Sequence, residues 1–329
     1  MRLPVGPAFR AAITALAALA GVSSFPASAQ NYPNHPIRLV VPWPAGGSAD
    51  ASARILALQL GERLKQPIVV DNRAGANGRI GTDMAAKAAP DGYTLVLAGA
   101  ETHAINPSLY PTLPYNPGRD FAMVAPFAIN PFALVIRGDI KATNLRDLVA
   151  AAKAAPGKMT AASWGVGSTS QLALEMIKTQ AGIDILHVPY PGESAMVTAL
   201  MGGQVDLMVV SAIRAAQLRK DDRVRVLGVT TKNRVSFMSD VPTLNEQGYN
   251  VDVANWIGIG APAKTPPEIV QKLASEINAV LQTPSFSEGL LGLGMTAHPV
   301  MSSPQFQKFM QDDAGRWGKV IQAAKIQID

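Results

Sequence analysis

Three segments combine glycines, hydroxyls and free backbone where an apolar run meets an amphipathic one. The first is Pro42-Trp43-Pro44-Ala45-Gly46-Gly47-Ser48-Ala49-Asp50. Its glycines let a ligand approach the main chain with no Cβ in the way. The helix that follows opens with unpaired N–H groups and a partial positive charge. Together these make an anion site suited to a carboxylate or a phosphate. The same residues also make a tight strand-to-helix turn capped by Ser48 or Asp50. The second segment, Trp164-Gly165-Val166-Gly167-Ser168-Thr169-Ser170-Gln171, has the same placement. Its hydroxyls and amides can satisfy carboxylate oxygens without a competing full charge, or they can cap their own helix. We read it as ligand contact because it mirrors the first segment from the other half of the chain. In the third, Tyr190-Pro191-Gly192-Glu193-Ser194, Glu193 either supports a first helical turn or receives an amine or hydroxyl of the ligand.

The residues needed for catalysis are poorly arranged. His35, His103, His187 and His298 are scattered, and none forms a metal-spaced pair. His187 falls within an apolar run and reads as a packed residue. There is no cysteine nucleophile. The serines of Gly165–Gln171 do not sit in G-x-S-x-G. The glycines of the first segment match neither the dinucleotide fingerprint nor the phosphate loop, and no Lys follows them. We therefore assign no catalytic residue, no metal and no cofactor, and read a binding protein rather than an enzyme.

These segments need a scaffold, and the chain supplies an alternation of short apolar runs with amphipathic ones. Strands are predicted at Ile37–Val41, Pro67–Val70, Thr94–Leu97, Met159–Trp164, Ile185–Val188, Val205–Val210 and Val224–Val229, with helices between most of them. This is the pattern of an α/β fold with parallel sheets covered by helices on both faces. The first residues form a leader. Arg2 and Arg10 precede the apolar stretch Ala11–Val22, and Ala27-Ser28-Ala29 supplies a small-x-small cleavage site. Residues 1–29 are thus expected to be removed after Ala29, and the product to be periplasmic. The remaining 300 of 329 residues exceed one typical core, so two domains are expected. The Pro-rich stretch Asn106–Pro131 and the segment Trp256–Pro262 read as crossings. Residues 30–130 and 257–329 then form one lobe and residues 131–256 the other.

Composition narrows the partners. The net charge of +5 is mild, and the run Arg219-Lys220-Asp221-Asp222-Arg223 mixes signs. No arginine stripe with interleaved aromatics is present, which argues against nucleic acid. A chain of this length folds without disulfides, and the absence of cysteine also excludes a lipid-modified one after the leader.

The motifs, taken in order, resemble the substrate-binding receptors of tripartite tricarboxylate transporters, the Bug receptors. The likeness runs through Tyr32-Pro33, Pro36-Ile37-Arg38, Val41-Pro42 to Gly46-Gly47 and Asp50, and Asp71-Asn72-Arg73-Ala74-Gly75-Ala76 with Ile80-Gly81. It continues through Pro90-Asp91-Gly92-Tyr93-Thr94-Leu95, Leu113-Pro114-Tyr115, Asp120-Phe121 and Gly202-Gly203-Gln204-Val205-Asp206. Asp240-Val241-Pro242-Thr243, Trp256, Ala261-Pro262 and Arg316-Trp317 complete it. The resemblance implies a two-lobed, Venus-flytrap periplasmic binding fold with the ligand in the cleft. It implies a carboxylate held by the loops Trp43–Asp50 and Gly165–Gln171, with Ala100-Glu101-Thr102 and the Tyr190–Ser194 turn lining the rest. It implies no cofactor or metal, and as partners a small carboxylate solute and the membrane permease subunits of the transporter, with the receptor a monomer. A sensor presenting solute to a membrane receptor kinase and a periplasmic hydrolase are the alternatives.

Three positions depart from the family pattern. Gln171 stands where His is common, Pro191 where Lys is common, and Val210-Ser211 where an acidic residue often precedes the next helix. Loss of a cation beside Glu193 argues against a highly anionic ligand such as citrate. Trp43 and Trp164 flank the two loops, placed either to stack on a flat acid or to fill the core.

Overall fold

The structure, a computed structural model, describes residues 32–326 and residue 328. The leader and its cleavage site lie outside the described residues. In chain order, β1 (Ile37–Val41), α1 (Ser48–Leu64), β2 (Ile68–Asn72), α2 (Arg79–Ala86) and β3 (Thr94–Gly99) build a parallel unit with β1 at its centre. A π-helical turn (Glu101–Ile105), α3 (Asn106–Leu109) and α4 (Pro117–Asp120) lead into β4 (Phe121–Arg137). A second parallel unit follows: α5 (Leu145–Ala154), β5 (Thr160–Ser163), α6 (Thr169–Ala181), β6 (Leu186–Pro189), α7 (Glu193–Met201), β7 (Leu207–Ser211), α8 (Ala212–Leu218) and β8 (Val224–Val229). The chain returns through β9 (Ala254–Pro262) and ends with α9 (Pro267–Leu281), α10 (Pro284–Gly292), β10 (Thr296–Ala297) and α11 (Ser303–Ala323).

The strands run β2-β1-β3-β9-β4-β7-β5-β6, with β8 and β10 also paired to β4. The sheet is mixed rather than purely parallel. Of the two segments read as crossings, Trp256–Pro262 lies within β9 and Asn106–Pro131 becomes strand β4 from Phe121 onward; the two strands run antiparallel from Phe121/Pro262 to Pro131/Ala254. Beyond Pro131, β4 leaves β9 and pairs with β7 and β8. The register between β4 and β9 shifts between Met123 and Ala125 and again between Pro126 and Ala128. Proline lacks an N–H and is tolerated at such irregularities. That is how a Pro-containing segment can run as a 17-residue strand.

Both faces of the sheet are buried. Along β1, Ile37, Leu39 and Val41 enter one apolar cluster and Val40 another. Along β4, Phe132 and Leu134 enter one cluster while Ala133 and Val135 enter another. Side chains alternate across a strand, so continuous apolar runs follow from helices on both sides. The C-terminal helix α11 is a principal cover. It packs on β4, the π-helical turn and α3, and reaches α6. A capping box between Ser302 and Gln305 starts it.

Two carboxylates fix the parts that matter for a site. Asp313 on α11 is buried. Its Oδ2 accepts from the indoles of Trp256 at 2.8 Å and Trp317 at 3.1 Å, and its Oδ1 from Arg316 at 2.7 and 3.0 Å. Asp50, in the first turn of α1, is also buried. It accepts from the Gly46 N–H at 2.9 Å, from Arg54 Nε at 3.0 and 3.1 Å and from Asn72 Nδ2 at 3.0 Å. Asn72 also donates to the Trp43 carbonyl at 3.0 Å. One carboxylate thus ties the β1–α1 loop to β2. The Arg54 hydrogen bond, seconded by Gly46 and Asn72 against the cost of burial, lowers the Asp50 carboxyl to about 2.

Asp313→Ala leaves two buried indole N–H groups without an acceptor, which costs about 3 kcal/mol. Denaturant unfolding checks this; a loss under ~1 kcal/mol contradicts it. For Asp50 the folded pKa lies below the unfolded one. Its contribution is therefore complete above the ordinary value of 3.8 and is lost as pH falls toward about 2. We expect Asp50→Asn to cost about 2 kcal/mol at neutral pH and to flatten the fall of urea stability between pH 4 and 2 relative to wild type. Parallel profiles for the two proteins contradict the assignment.

Candidate functional site

A cavity of about 490 Å³ opens at the carboxyl ends of the parallel strands, where α/β sheets place their ligands. From the first unit it takes Trp43, Pro44, Gly47, Ser48 and Ala49 of the β1–α1 loop and Leu97 to Glu101 at the end of β3. From the second it takes Trp164 after β5, Glu193 at the start of α7, and Ser211 and Ile213 after β7. The paired strands β4 and β9 add Asn130, Phe132, Asn255, Trp256 and Ile257, and Leu293 adds an apolar edge. The Asp313 hydrogen bond holds Trp256 from behind this wall.

Of the residues predicted from sequence, Trp43, Gly47, Ser48, Ala100, Glu101, Trp164, Glu193 and Ser211 line the cavity. Ala45, Gly46, Asp50, Thr102, Gly165, Gly167, Ser168, Thr169, Ser170, Gln171, Tyr190, Pro191 and Gly192 do not line this wall. Asp50 and the Gly46 N–H are spent on each other. Thr102 is buried, its hydroxyl 2.8 Å from His103 Nδ1. Pro191 is exposed beyond the rim.

The two loops that look alike in sequence differ in how their helices begin. No side chain caps α1 at Gly47, so the N–H groups of its first turn keep no partner within the helix. At α6 the Ser168 hydroxyl accepts from the Gln171 N–H at 3.3 Å and donates to the Gly165 carbonyl at 2.6 Å. Gln171 Oε1 accepts from the Gly167 N–H at 2.7 Å, and the Ser170 hydroxyl donates to the Val209 carbonyl at 2.6 Å. Ser168 and Gln171 thus spend their side chains on this loop's own backbone, and Ser170 on β7. Thr169 is the exception: its hydroxyl lies 3.2 Å from Glu101 Oε1 and 2.9 Å from Asn255 Oδ1, joining the two parallel units beside the cavity. A hydroxyl has one proton and donates to one of the two at a time.

Two acids and no bases line the cavity among the described residues. Burial raises the Glu101 carboxyl, opposed by hydrogen bonds from Thr169, Trp164 and Asn255. Glu193 Oε1 accepts from the Ser211 N–H at 2.7 Å, and Arg214 Nε lies 3.9 Å from its Oε2. The rest of the wall is largely aromatic and aliphatic. The arrangement can receive an anion at the open turn of α1 and enclose an apolar body beside it.

The wall residues of β4 and β9 are not marked in the sequence as ligand contacts, because facing a cavity depends on how the two strands pair. A second feature is also silent there. The Ser163 hydroxyl lies 2.6 Å from His187 Nε2, and burial lowers the His187 pKa. Ser163 is fully buried, outside the cavity wall, and also reaches the Gly165 carbonyl at 3.0 Å. Among the described residues, no carboxylate accepts a hydrogen bond from the His187 ring to orient it. This pair lacks the access and the third group that a nucleophilic serine needs. No cluster of three or more His, Asp or Glu side chains is placed to hold a metal ion among the described residues.

Residues 52–326 match the family model described as "Tripartite tricarboxylate transporter family receptor". Protein BugT of Bordetella pertussis is 37% identical over 307 residues, covering 92% of this chain and 93% of that protein. The solved structure of R. palustris Rpa4515 with adipate is 33% identical, covers 90% of this chain and 99% of that one, and superposes with a TM-score of 0.77. The structure of MatC from Rhodopseudomonas palustris with bound malate is 29% identical, covers 88% and 100%, and has a TM-score of 0.73. The two-lobed α/β architecture of such binding proteins is the fold of this chain. By its family match and by relatives that span nearly all of its length, the chain belongs to the tripartite tricarboxylate transporter receptor family.

Proposed function

We propose that the protein captures a small carboxylate-bearing solute in this cavity and delivers it, without turnover, to the membrane permease subunits of a tripartite tricarboxylate-type transporter. The observation that carries this is the uncapped first turn of α1, whose Ser48 and Ala49 line the cavity. Helix amides and the positive end of the dipole are a ready site for a carboxylate. The relatives with adipate and malate in their structures support the same ligand class.

Residues 30–130 with 257–329 form one lobe in this reading and residues 131–256 the other, with β4 and β9 as the connection. The leader, cleaved after Ala29, would direct a monomeric product to the periplasm. No helix of the described residues is long and apolar enough to cross a membrane.

Two outcomes are expected. A carboxylate at a hundredfold excess over its dissociation constant should stabilise the folded protein by about 2.7 kcal/mol, read as a thermal shift against a panel containing adipate, malate and benzoate. Gly47→Val should weaken the best binder at least tenfold. Gly47 has an ordinary φ of −78°, and a Cβ there meets nothing nearer than the Pro44 carbonyl at 3.6 Å. The variant should therefore fold, and an unchanged affinity in it would remove the β1–α1 loop from the site.

A further inference from the structure

The cavity contains an imbalance that the receptor reading alone does not account for. Among the described residues, the ionisable groups that line it are Glu101 and Glu193, with no Lys, Arg or His beside them. The positive groups available to a ligand are therefore backbone amides at helix starts. Those starts are not equally free. Ser168 and Gln171 close the start of α6. Glu193 occupies the first position of α7 and also takes the Ser211 N–H, where α8 begins. No side chain caps α7 or α8, but Glu193 holds its carboxylate at the Ser211 N–H between them and so places a negative charge on that side. The start of α1 also has no capping side chain, and its one acid, Asp50, is turned to Gly46, Arg54 and Asn72 and does not line the cavity.

Resting on the receptor reading, we propose that this cavity selects solutes with a single carboxylate and an uncharged apolar remainder, and that Glu193 excludes a second carboxylate. The first carboxylate sits on the open turn of α1. The remainder lies among Trp43, Phe132, Trp164, Trp256 and Ile257, where apolar surface is removed from water on both partners. A second carboxylate in this space would meet Glu193 with no lining base to offset it. Arg214 supplies only part of that offset, since it lies outside the cavity lining, 3.9 Å from Glu193 Oε2, and donates to Gln217 at 3.0 Å. An ammonium group is not the complement of these acids either. Glu193 is engaged by Ser211 and Arg214, and Glu101 by Thr169.

The test uses matched probes that differ by one charge. Calorimetric titration of the purified mature receptor at pH 7.5 compares hexanoate with adipate, benzoate with benzene-1,4-dicarboxylate, and hexanoate with 6-aminohexanoate. We expect the monocarboxylate to bind at least tenfold tighter in at least one of the first two pairs, and hexanoate to match or exceed its amine. Glu193→Gln should narrow the mono-to-dicarboxylate ratio at least fivefold. Its amide oxygen can still accept from Ser211, and Glu101→Gln serves as the comparison variant and should move the ratio less. Dicarboxylates that bind as well as their partners, a preference for the amine, or a ratio untouched by Glu193→Gln would overturn the selection while leaving a carboxylate receptor standing. Failure of all five acids to bind the folded protein counts against the receptor reading itself, and the selection falls with it.

Discussion

The Asp50 carboxylate spends its acceptors on Gly46, Arg54 and Asn72, and the rest of the site depends on where that leaves the β1–α1 loop. An acidic side chain in the first turn could have folded back onto its own helix amides, as capping residues do. Here it reaches outward to the loop and to β2 instead. The loop is pinned, the Trp43 carbonyl is held through Asn72, and the first amides of α1 face the cavity without a competing side chain. A residue that reads as a ligand contact in sequence acts by keeping other groups available.

The second constraint is the pairing of β4 with β9. Each strand crosses between the two parallel units, and together they bring Asn130, Phe132, Asn255 and Trp256 to the cavity wall. Trp256 is fixed by Asp313 from α11, so the C-terminal helix takes part in shaping the cavity wall. Thr169, Glu101 and Asn255 link the two units with those same strands.

Much of this is legible in the sequence, and the exceptions have physical causes. The strand–helix alternation can be read because both faces of the sheet are buried, which turns strands such as Ile37–Val41 into unbroken apolar runs. The β1–α1 loop can be read because Gly46 and Gly47, set between an apolar run and a helix start, mark a turn whose main chain is open to close approach. β4 is harder to read because Pro126 and Pro131 argue against a strand unless bulges accommodate them, and bulges leave no local signature. The Gly165–Gln171 loop is legible in type but not in use. Ser168 and Gln171 have the same composition whether they cap a helix or hold a ligand, and only their partners distinguish the two. Thr169 shows the same limit, because its partner Glu101 is 68 residues away in the chain.

In the proposed complex the carboxylate sits on the open turn of α1 and not on the capped turn of α6. Amide chemical shifts report hydrogen bonding directly. An ¹⁵N–¹H titration of the labelled receptor with the tightest-binding carboxylate should move the Ser48 and Ala49 amides strongly downfield in proton. The Gly167 and Gln171 amides, already bonded within their own loop, should move little. Large downfield shifts at Gly167 to Gln171 with Ser48 and Ala49 unmoved would contradict the account.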